Sequence, residues 1–424
     1  MRTLGLIVEY NPFHNGHLYH IKKAVEMTKP EIIIGVMSGN FVQRGEPSIC
    51  RKQTKVRSSL DSGLDLIIEL PFVFAIQDAG GFASGSITIL EKLKTMFLVF
   101  GSESNDIESL ESISAVLNES SDEYNSLLKK YLKEGLSFPN ARKEALKEYL
   151  KRKNKNPDIV DKIALSNDIL GLEYLKSIKK IHSSIRAFSI KRIGKGYHDL
   201  DDDSTYSSAT AIREIIKKRE FEKLKKLIPL FSYKNLIEDI KKNEGPIFLE
   251  NLEKTIISIL RMNNLKDFEE IYGINEGLHV RMKRAAKTSS DLENFLQTVK
   301  TRRFTLTRIK RTLISSILKL DKNTIDESNL YGPQYIRILG FNEKGRNYLA
   351  TIKKKIDIPM ITNISDWPGI YRKILNNKYN ARPELFKKQL FYDIKSTELY
   401  ALFNLKKNLV SGNEFKYNVD YRRN

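Results

Sequence analysis

Two histidines, with two residues between them, stand where a short apolar run gives way to a helix-forming stretch. They belong to the segment His14-Asn15-Gly16-His17. Two imidazoles and the first amides of a helix can stabilise the negative charge that builds on phosphate oxygens during attack at phosphorus, without a covalent intermediate. Gly16 leaves room for a nucleotide beside the backbone, and a helix N-terminus favours phosphate. The alternative interpretation is a pair of structural histidines.

A second group of polar residues precedes an apolar, helix-periodic run much later in the chain. It contains Ser207 and Ser208, with Arg213 five residues further on. Hydroxyl and amide groups there could hold a leaving pyrophosphate, and the arginine could offset its charge. Hydroxyls before an apolar run are also typical of an ordinary helix N-terminus, and Arg213 could equally form a surface ion pair.

The first hundred residues alternate between strand and helix patterns. The sequence predicts strands at residues 4–8, 31–37, 64–70 and 96–100. It predicts helices between them at residues 18–28, 52–62 and 73–93. Continuous apolar strands indicate a parallel sheet that is buried on both faces, and the alternation indicates a doubly wound, Rossmann-like α/β domain. Because ligands of such sheets lie beyond the carboxyl ends of the strands, we expect the residues that follow each strand to share one rim.

The remaining sequence predicts helices around this domain. Charged, helix-periodic sequence at about 106–160 indicates a helical insertion, and another helix is expected to start with Ser166 or Asn167 as its N-cap. A returning strand is expected at residues 185–193. We therefore predict a catalytic domain over residues 1–220 and a basic α-helical domain over residues 221–424.

Positive charge is concentrated in the C-terminal half. Seven Lys or Arg residues lie between positions 300 and 319 without an acidic residue among them. Apolar residues recur there at helical spacing, so we expect one face to be docked while Arg308 and Arg311 point away from it. These cations are predicted to grip nucleic-acid phosphates.

Composition limits the class of protein. The chain has 424 residues, 41% of them hydrophobic, and 72 Lys+Arg against 52 Asp+Glu give a net charge of +20. Such a balance favours a polyanionic partner, nucleic acid first, although surface lysines are often only solvating. The one cysteine, Cys50, excludes an internal disulfide and is expected to be a buried small residue. Neither a signal peptide nor a membrane helix is indicated, so we expect a cytoplasmic protein. The sequence does not indicate an oligomeric state.

The two polar motifs resemble the signatures of the HxGH nucleotidyltransferase superfamily, although Ala209 is inserted where its second pattern, SSTxxR, is usually compact. Longer segments resemble the tRNA(Met) cytidine acetate ligase family. These are GLIVEYNPFHNGHLYHI, MSGNFVQRGEP, DLIIELPF, FGSE, SNDILGLEYL, KRIGKGYHD, SSATAIR, KTRRFTLTRIKR and YIRILGFNEKGRNYL. The resemblance spans nearly the whole chain.

The resemblance implies a two-step reaction. Acetate and ATP, with Mg²⁺, would form acetyl-adenylate, and the acetyl group would pass to the N4 amine of the wobble cytidine of elongator tRNA(Met). The chemistry is consistent with this scheme, because acetate is a poor acyl donor and a mixed anhydride with AMP activates it. The exocyclic amine is a weak nucleophile that close positioning assists.

The candidate catalytic residues are His14, His17, Ser207 and Arg213. The resemblance places the nucleotide site at Ile7, Val8, Glu9, Tyr10, Asn11, Pro12, Phe13, His14, Asn15, Gly16, His17, Leu18, Tyr19, His20, Gly101, Asn167, Arg192 and Ile193. Several roles stay open. His20 could reach the nucleotide or pack in the core. Gln43, Arg44 and Glu46 could shape the acyl or cytosine site or form a turn. The acidic residues 201–203 could bind Mg²⁺ or be a solvated loop.

Two other functions remain compatible with the sequence. One is an HxGH nucleotidyltransferase that acts on a small phosphorylated cofactor precursor, although a large basic helical half is unusual for that group. The other is a catalytically inactive RNA-binding protein, which the intact histidine motif disfavours. A class I aminoacyl-tRNA synthetase is less compatible, because no KMSKS-like loop is evident.

Overall fold

A computed structural model of the chain describes residues 1–119, 121–162, 165–193, 206–403 and 414–422. Within these ranges the strands are β1 (Thr3–Val8), β2 (Ile32–Ser38), β3 (Phe41–Val42), β4 (Glu46–Pro47), β5 (Leu66–Leu70), β6 (Phe97–Ser102), β7 (Arg186–Lys191), β8 (Ile336–Asn342), β9 (Met360–Ile361) and β10 (Asp420–Arg422). The helices are α1 (Asn15–Thr28), α2 (Lys52–Asp61), α3 (Phe72–Ala75), α4 (Ala79–Lys92), α5 (Ile107–Glu119), α6 (Asp122–Lys133), α7 (Phe138–Arg152), α8 (Ile159–Lys162), α9 (Ser166–Lys180), α10 (Ala209–Lys217), α11 (Phe221–Leu227), α12 (Leu230–Lys241), α13 (Glu253–Met262), α14 (Lys266–Glu269), α15 (Leu278–Thr288), α16 (Leu292–Val299), α17 (Leu306–Leu318), α18 (Lys322–Tyr331), α19 (Glu343–Ile352), α20 (Trp367–Leu375) and α21 (Pro383–Leu402). Short 3₁₀ turns occupy Leu249–Leu252, Lys353–Lys355, Ile364–Asp366 and Glu414–Lys416.

The main sheet has a parallel centre, as the sequence predicts. Its order is β10-β8-β5-β2-β1-β6-β7, and the strands from β5 to β7 run parallel. All five predicted strands are present, within a few residues of their predicted ends. The strand order reverses at β1, whose neighbours are β2 and β6. In doubly wound sheets ligands bind at this switch point, outside the carboxyl ends of the strands.

The C-terminal half is mainly helical, as predicted, and it also contributes strands to the sheet, which the sequence did not predict. Strand β8 pairs antiparallel with β5, and both β9 and β10 pair parallel with β8. Residues in β8 are almost all buried, so this strand continues the hydrophobic core across the predicted boundary at residue 220. Antiparallel edge strands are common on otherwise parallel sheets.

The helical insertion is present as predicted, but α9 begins differently from expectation. Its N-cap residue is Leu165, which cannot accept a hydrogen bond through its side chain. The carboxylate of Glu103 accepts instead, from the N–H groups of Asn167 at 3.1 Å and Asp168 at 3.0 Å. The prediction of Ser166 or Asn167 as N-cap was therefore wrong, because an acceptor from the end of β6 takes that role.

A buried ionic network joins the two halves beneath the sheet. Lys52 on α2 lies 2.7 Å from the carboxylate of Glu69 on β5 and 2.8 Å from that of Glu414. Arg337 of β8 is fully buried and lies 3.5 Å from Glu414. A buried charge needs a partner, because removing one member leaves the other unpaired in a medium of low dielectric constant. The network thus connects the segment that begins at Glu414 to the catalytic sheet. Cys50 is buried, as expected.

Candidate active site

The two motif histidines form the N-terminal cap of α1, directly beyond β1. The Nδ1 atom of His14 accepts a hydrogen bond from Gly16 N at 3.1 Å, and the Nδ1 atom of His17 accepts one from His14 N at 3.2 Å. The rings stack with centroids 3.6 Å apart. Because each Nδ1 accepts, the ring proton of each neutral imidazole is on Nε2. The cap therefore presents two N–H donors that suit a phosphoryl oxygen.

Burial keeps both rings neutral at physiological pH. It lowers the pKa of His14 to about 3, and the nearby positive charges of Arg192 and Arg213 add to this effect. The pKa of His17 is also well below its usual value, mainly through burial and then through the proximity of His14. Neutral donors preserve the tautomer that the cap imposes, so the hydrogen-bond geometry does not change between pH 6 and 8.

Residues from beyond position 220 hold the loop between β1 and α1. The Nδ2 atom of Asn15 donates to Lys226 O at 2.8 Å, and Phe13 O accepts from Ser232 Oγ at 2.9 Å. Tyr10 has a positive φ of 48°, which only the surrounding packing can stabilise in a residue with a side chain. Its ring packs edge-on against His17, with centroids 4.8 Å apart. The loop is therefore pre-organised before any ligand binds.

The second motif lies against the first, although about 190 residues separate them. Arg213 Nη1 donates to Asn11 O at 3.0 Å, and its Nη2 lies 3.5 Å from the carboxylate of Glu46. Ser208 caps α10 through a hydrogen bond from Ala211 N at 3.2 Å. Ser207 is the half-buried residue just before this cap. The guanidinium thus contacts the histidine loop, as a shared phosphate site requires.

A third group gathers at the carboxyl ends of β6 and β7. Arg192 Nη1 donates to Asn167 Oδ1 at 2.8 Å, and the side-chain amide of Asn167 donates to Glu103. At Gly101 an added Cβ would lie 3.2 Å from Arg192 Cγ, so glycine makes room for that side chain. Arg192 also lies close enough to lower the pKa of the motif histidines. Gly101, Asn167 and Arg192 are therefore brought together on the same rim, and Ile193 follows them as an exposed residue.

The other predicted nucleotide-site residues take several positions along the β1–α1 connection. Ile7, Val8 and Glu9 lie at the end of β1; Asn11, Pro12 and Phe13 are buried in the loop; Leu18, Tyr19 and His20 are half-buried on α1. Burial lowers the pKa of His20 to about 4, and its Nε2 is buried with no hydrogen-bond partner among the residues that the structure describes. The acidic residues 201–203 lie outside the described residues.

A cavity of about 1070 Å³ opens next to these groups. Its walls include the end of β1, the first turn of α7, the start of α9 and the basic helix α17. The N-terminal part of α17 faces the rim, which corrects part of the expectation for its arginines. Arg311 Nη1 donates to Gln43 O at 3.3 Å, and Arg308 lies 3.6 Å from Glu276. Neither is a freely solvated cation on an outer face.

Sequence reasoning missed Glu103 and the inward position of Arg311. The segment FGSE is one of those that resemble the family, yet nothing in it indicates that its carboxylate caps a helix that begins 63 residues later. Arg311 occurs in a run of cations, where charge alone predicts an exposed face. The spacing of the apolar residues on α17 indicates which face of the helix is docked. It does not indicate which residues the polar side chains contact. Both roles depend on contacts between distant segments.

The fold and the paired phosphate motifs define an α/β nucleotidyltransferase. The family model for HIGH nucleotidyl transferases matches residues 1–414. A tRNA(Met) cytidine acetate ligase of Kosmotoga olearia is 44% identical over 425 residues, with all of both chains covered. The enzyme of that name from Thermosipho melanesiensis is 46% identical, covering 100% of this chain and 98% of its own. A crystal structure of Thermotoga maritima TmcAL with bound alpha-thio ATP matches all of both chains with a TM-score of 0.95 and 42% identity.

The chain belongs to the HIGH nucleotidyl transferase family and, within it, to the tRNA(Met) cytidine acetate ligases. Among the described residues, no helix is long and apolar enough to cross a membrane.

Proposed function

We propose that this protein forms acetyl-adenylate from acetate and ATP and then acetylates the N4 amine of the wobble cytidine of elongator tRNA(Met), giving N4-acetylcytidine. The observation that carries the proposal is the pair of Nε2–H groups left as donors at the start of α1, next to a cavity whose wall runs from Ile7 and Glu9 to the basic helix α17. The names of the relatives and the alpha-thio ATP in the Thermotoga maritima structure support it. The proposed location is the cytoplasm, where tRNA is found.

In the first step, an acetate oxygen attacks the α-phosphorus of ATP and pyrophosphate leaves. The Nε2–H groups of His14 and His17 donate to the phosphoryl oxygens, where charge builds in the transition state. Arg213 and Ser207 lie at the second motif and would offset the charge of the leaving pyrophosphate. No nucleophilic side chain is required, because acetate itself is the nucleophile.

Mg²⁺ is proposed to enter with the nucleotide. The described residues contain no group of three or more His, Cys, Asp or Glu that could hold a metal ion by themselves. Mg²⁺ commonly takes one or two carboxylates together with substrate phosphates. A site of this kind needs no larger cluster of protein ligands, so the described residues fit an ion that ATP carries. The ion would neutralise charge on the phosphates.

In the second step, the N4 amine attacks the acetyl carbon and AMP leaves. A wobble base in an anticodon loop is not paired within the tRNA, so it can be splayed out of the loop into a pocket. The tRNA backbone would lie along the exposed cations of residues 300–303, where phosphate contacts give affinity without sequence information.

The replacement His17→Ala tests the first step. We expect the rate of acetyl-adenylate formation to fall by about 10²–10³-fold, because one preorganised donor is lost. The affinity for tRNA should change less than about twofold. Labelled acetate, ATP and Mg²⁺ with and without tRNA(Met) give the first readout, and filter binding gives the second.

Two outcomes would favour other functions. Nucleotidyl transfer to a small phosphorylated molecule, without tRNA dependence, would indicate a cofactor-synthesis enzyme. Tight tRNA binding by the wild-type protein without any acetyl-adenylate would indicate an inactive RNA-binding protein.

A further inference from the structure

The cavity is large for a small-ligand site. Its volume of about 1070 Å³ lies at the upper end of the range of about 300–1,000 Å³ that is usual for such pockets. Ile7 and Asn167, at two ends of the predicted nucleotide site, line one part of it. Arg311 of α17 and Tyr272, just after α14, line another part. There is therefore room for a second group beside an acyl-adenylate.

Glu9 is the first residue after β1 and lines this cavity. Its Oε1 accepts a hydrogen bond from Gln43 N at 2.6 Å. No described residue donates to its Oε2, and the residue lines the cavity. Burial raises the pKa of Glu9, and the hydrogen bond from Gln43 acts in the opposite direction. The carboxylate is thus held in place through one oxygen while the other remains available.

Arg311 approaches the same loop residue from the other side. Its Nη1 donates to Gln43 O at 3.3 Å, and within the described residues it forms no ion pair. Burial lowers the pKa of this guanidinium. A half-buried cation without a carboxylate partner is costly unless a ligand satisfies its donors. Gln43 therefore contacts both side chains, Glu9 through its N–H and Arg311 through its C=O, and both side chains line the same cavity.

The other carboxylates of the cavity wall are occupied or exposed. Asp78 caps α4 by accepting from Gly80 N and Gly81 N, each at 3.1 Å. Glu173 pairs with Arg142 and Lys176. Asp326 is exposed on α18. Asp78 uses only Oδ1 in its capping bonds but is exposed, like Asp326. Glu9 is therefore the half-buried carboxylate of this wall that has an oxygen to which no described residue donates.

The Watson–Crick edge of cytosine presents an amine donor next to two acceptors, ring N3 and O2. We propose that the Glu9–Arg311 pair is the cytosine-binding site, in which Glu9 accepts a hydrogen bond from the N4 amine and then its proton, while Arg311 donates to N3 and O2. This inference rests on the proposed function. A carboxylate that accepts from N4 is an established pairing in nucleic-acid recognition. Uracil places an oxygen and an N–H at those positions, so both side chains would disfavour it.

The proposed step balances. The N4 lone pair forms a bond to the acetyl carbon, and the bond from that carbon to the phosphate oxygen breaks, with its electrons leaving on AMP. One N4 proton moves to Oε2 of Glu9. The products are N4-acetylcytidine, AMP and a protonated carboxyl group that returns its proton to solvent.

Glu9→Gln is the main test, because the amide oxygen can still accept from Gln43 N–H while the basicity is lost. Acetyl-adenylate formation and single-turnover transfer to tRNA(Met) are measured separately. We expect the transfer rate constant to fall by about 10²-fold or more, and at least tenfold more than the rate of adenylate formation. Glu31→Gln is the matched control, since this carboxylate accepts from Arg2 N at 2.9 Å just before β2 begins, at the opposite end of the sheet from the rim.

The pH profile separates a base from a structural residue. Glu9 must be ionised to accept the proton, so wild-type transfer should rise with pH through the raised pKa of Glu9 and then level off. The charged groups facing it are Lys55 of α2, Arg44 of the β3–β4 loop and Arg213 of α10, each of which lowers this pKa. Tyr174 of α9 also faces it, and burial followed by the charge of Glu9 raises the pKa of that phenol well above its usual value, so it stays neutral. Lys55, Arg44 and Arg213 all remain in Glu9→Gln. The transfer rate of that variant should therefore lose only the rise with pH that the ionisation of Glu9 causes.

Arg311→Ala tests base selection independently. Anticodon stem–loops with cytidine or uridine at the wobble position compete for the wild-type protein, and we expect about tenfold preference for cytidine. The preference should fall below about threefold in Arg311→Ala and stay unchanged in Arg372→Ala, an exposed arginine of α20.

The results separate this inference from the proposed function. Wild-type protein that forms no acetyl-adenylate would overturn both. Active wild-type protein overturns the inference alone if Glu9→Gln transfers acetyl within about threefold of the wild-type rate, or loses both steps equally. An unchanged cytidine preference in Arg311→Ala would also overturn it.

Discussion

At the residue scale, the histidine motif serves structure and chemistry through different atoms of the same rings. Each Nδ1 completes the cap of α1, and each Nε2 faces away from the cap as a donor. Ala in place of His14 therefore removes a helix cap, worth about 1 kcal/mol, as well as a phosphate donor. With two residues between the histidines, His14 is the N-cap residue and His17 occupies the N3 position of the helix. This spacing allows both capping hydrogen bonds to form.

His20, on the next turn of α1, should contribute a measurable pH dependence to the free energy of unfolding. Its pKa in the folded state is about 4, against 6.5 in an unfolded chain, so the unfolded state binds the proton first. The unfolding free energy should therefore fall as pH decreases from about 6.5 towards 4, by about 1.4 kcal/mol per unit. His20→Leu should reduce the loss between pH 7 and 5 by about 2 kcal/mol, measured by urea denaturation.

The exposed His182 provides the control for that measurement. His182→Asn leaves the buried cluster on α1 intact, and asparagine tolerates its left-handed conformation, with φ of 51°. This variant should show the wild-type pH dependence. Equal slopes for wild type and His20→Leu would contradict the assignment.

At the element scale, the sequence predicts those strands and helices that have a local pattern of their own. The parallel strands were found because each is a continuous apolar run between helical stretches, and the histidine motif was placed by following β1. Strand β8 was missed, although its sequence is apolar, because its partner β5 lies more than 260 residues earlier in the chain. The contact between α17 and the β3–β4 loop was missed for the same reason. Pairing between distant segments has no local signature.

Gly45 at the tip of the β3–β4 hairpin allows that contact. Its φ is +77°, and an added Cβ would lie 2.6 Å from Lys310 C and 2.9 Å from Arg311 Cα. Gly45→Ala must therefore strain the backbone and push the hairpin away from α17. We expect a loss of about 2–4 kcal/mol in unfolding free energy, the sum of left-handed strain and overpacking. The acetyl-transfer step should also slow, because Gln43 moves with the hairpin.

Gly277 is a matched control for backbone strain alone. It has the same φ of +77°, and no atom of the residues described by the structure lies within 4 Å of its added Cβ. Gly277→Ala should cost only about 1–2 kcal/mol and leave transfer unchanged. Chemical denaturation together with a single-turnover assay checks both variants. Equal effects of the two replacements would show that the hairpin contact contributes nothing.

At the scale of the whole molecule, the net charge of +20 overstates the cations that are available to a nucleic acid. Arg303 and Arg308 both pair with Glu276, and Lys310 pairs with Glu46. Arg311 faces the cavity. Lys300 and Arg302, by contrast, are exposed just before α17. A tRNA backbone that passes over these two residues would bring its anticodon loop towards the cavity mouth.

Arg302→Ala tests this path. Loss of one phosphate contact should weaken tRNA binding and reduce the slope of log K against log salt by about 0.7–0.9, the value per phosphate neutralised in single-stranded or duplex nucleic acid. Lys373→Ala removes an exposed charge on α20, outside the cavity wall, and should leave the slope unchanged. Filter binding at salt concentrations between about 50 and 200 mM covers the range in which the affinity for tRNA should change most with salt. Since adenylate formation does not involve tRNA, its rate should be equal in both variants. If the two replacements change the salt slope equally, the cations act through net charge and the tRNA does not follow this edge of α17.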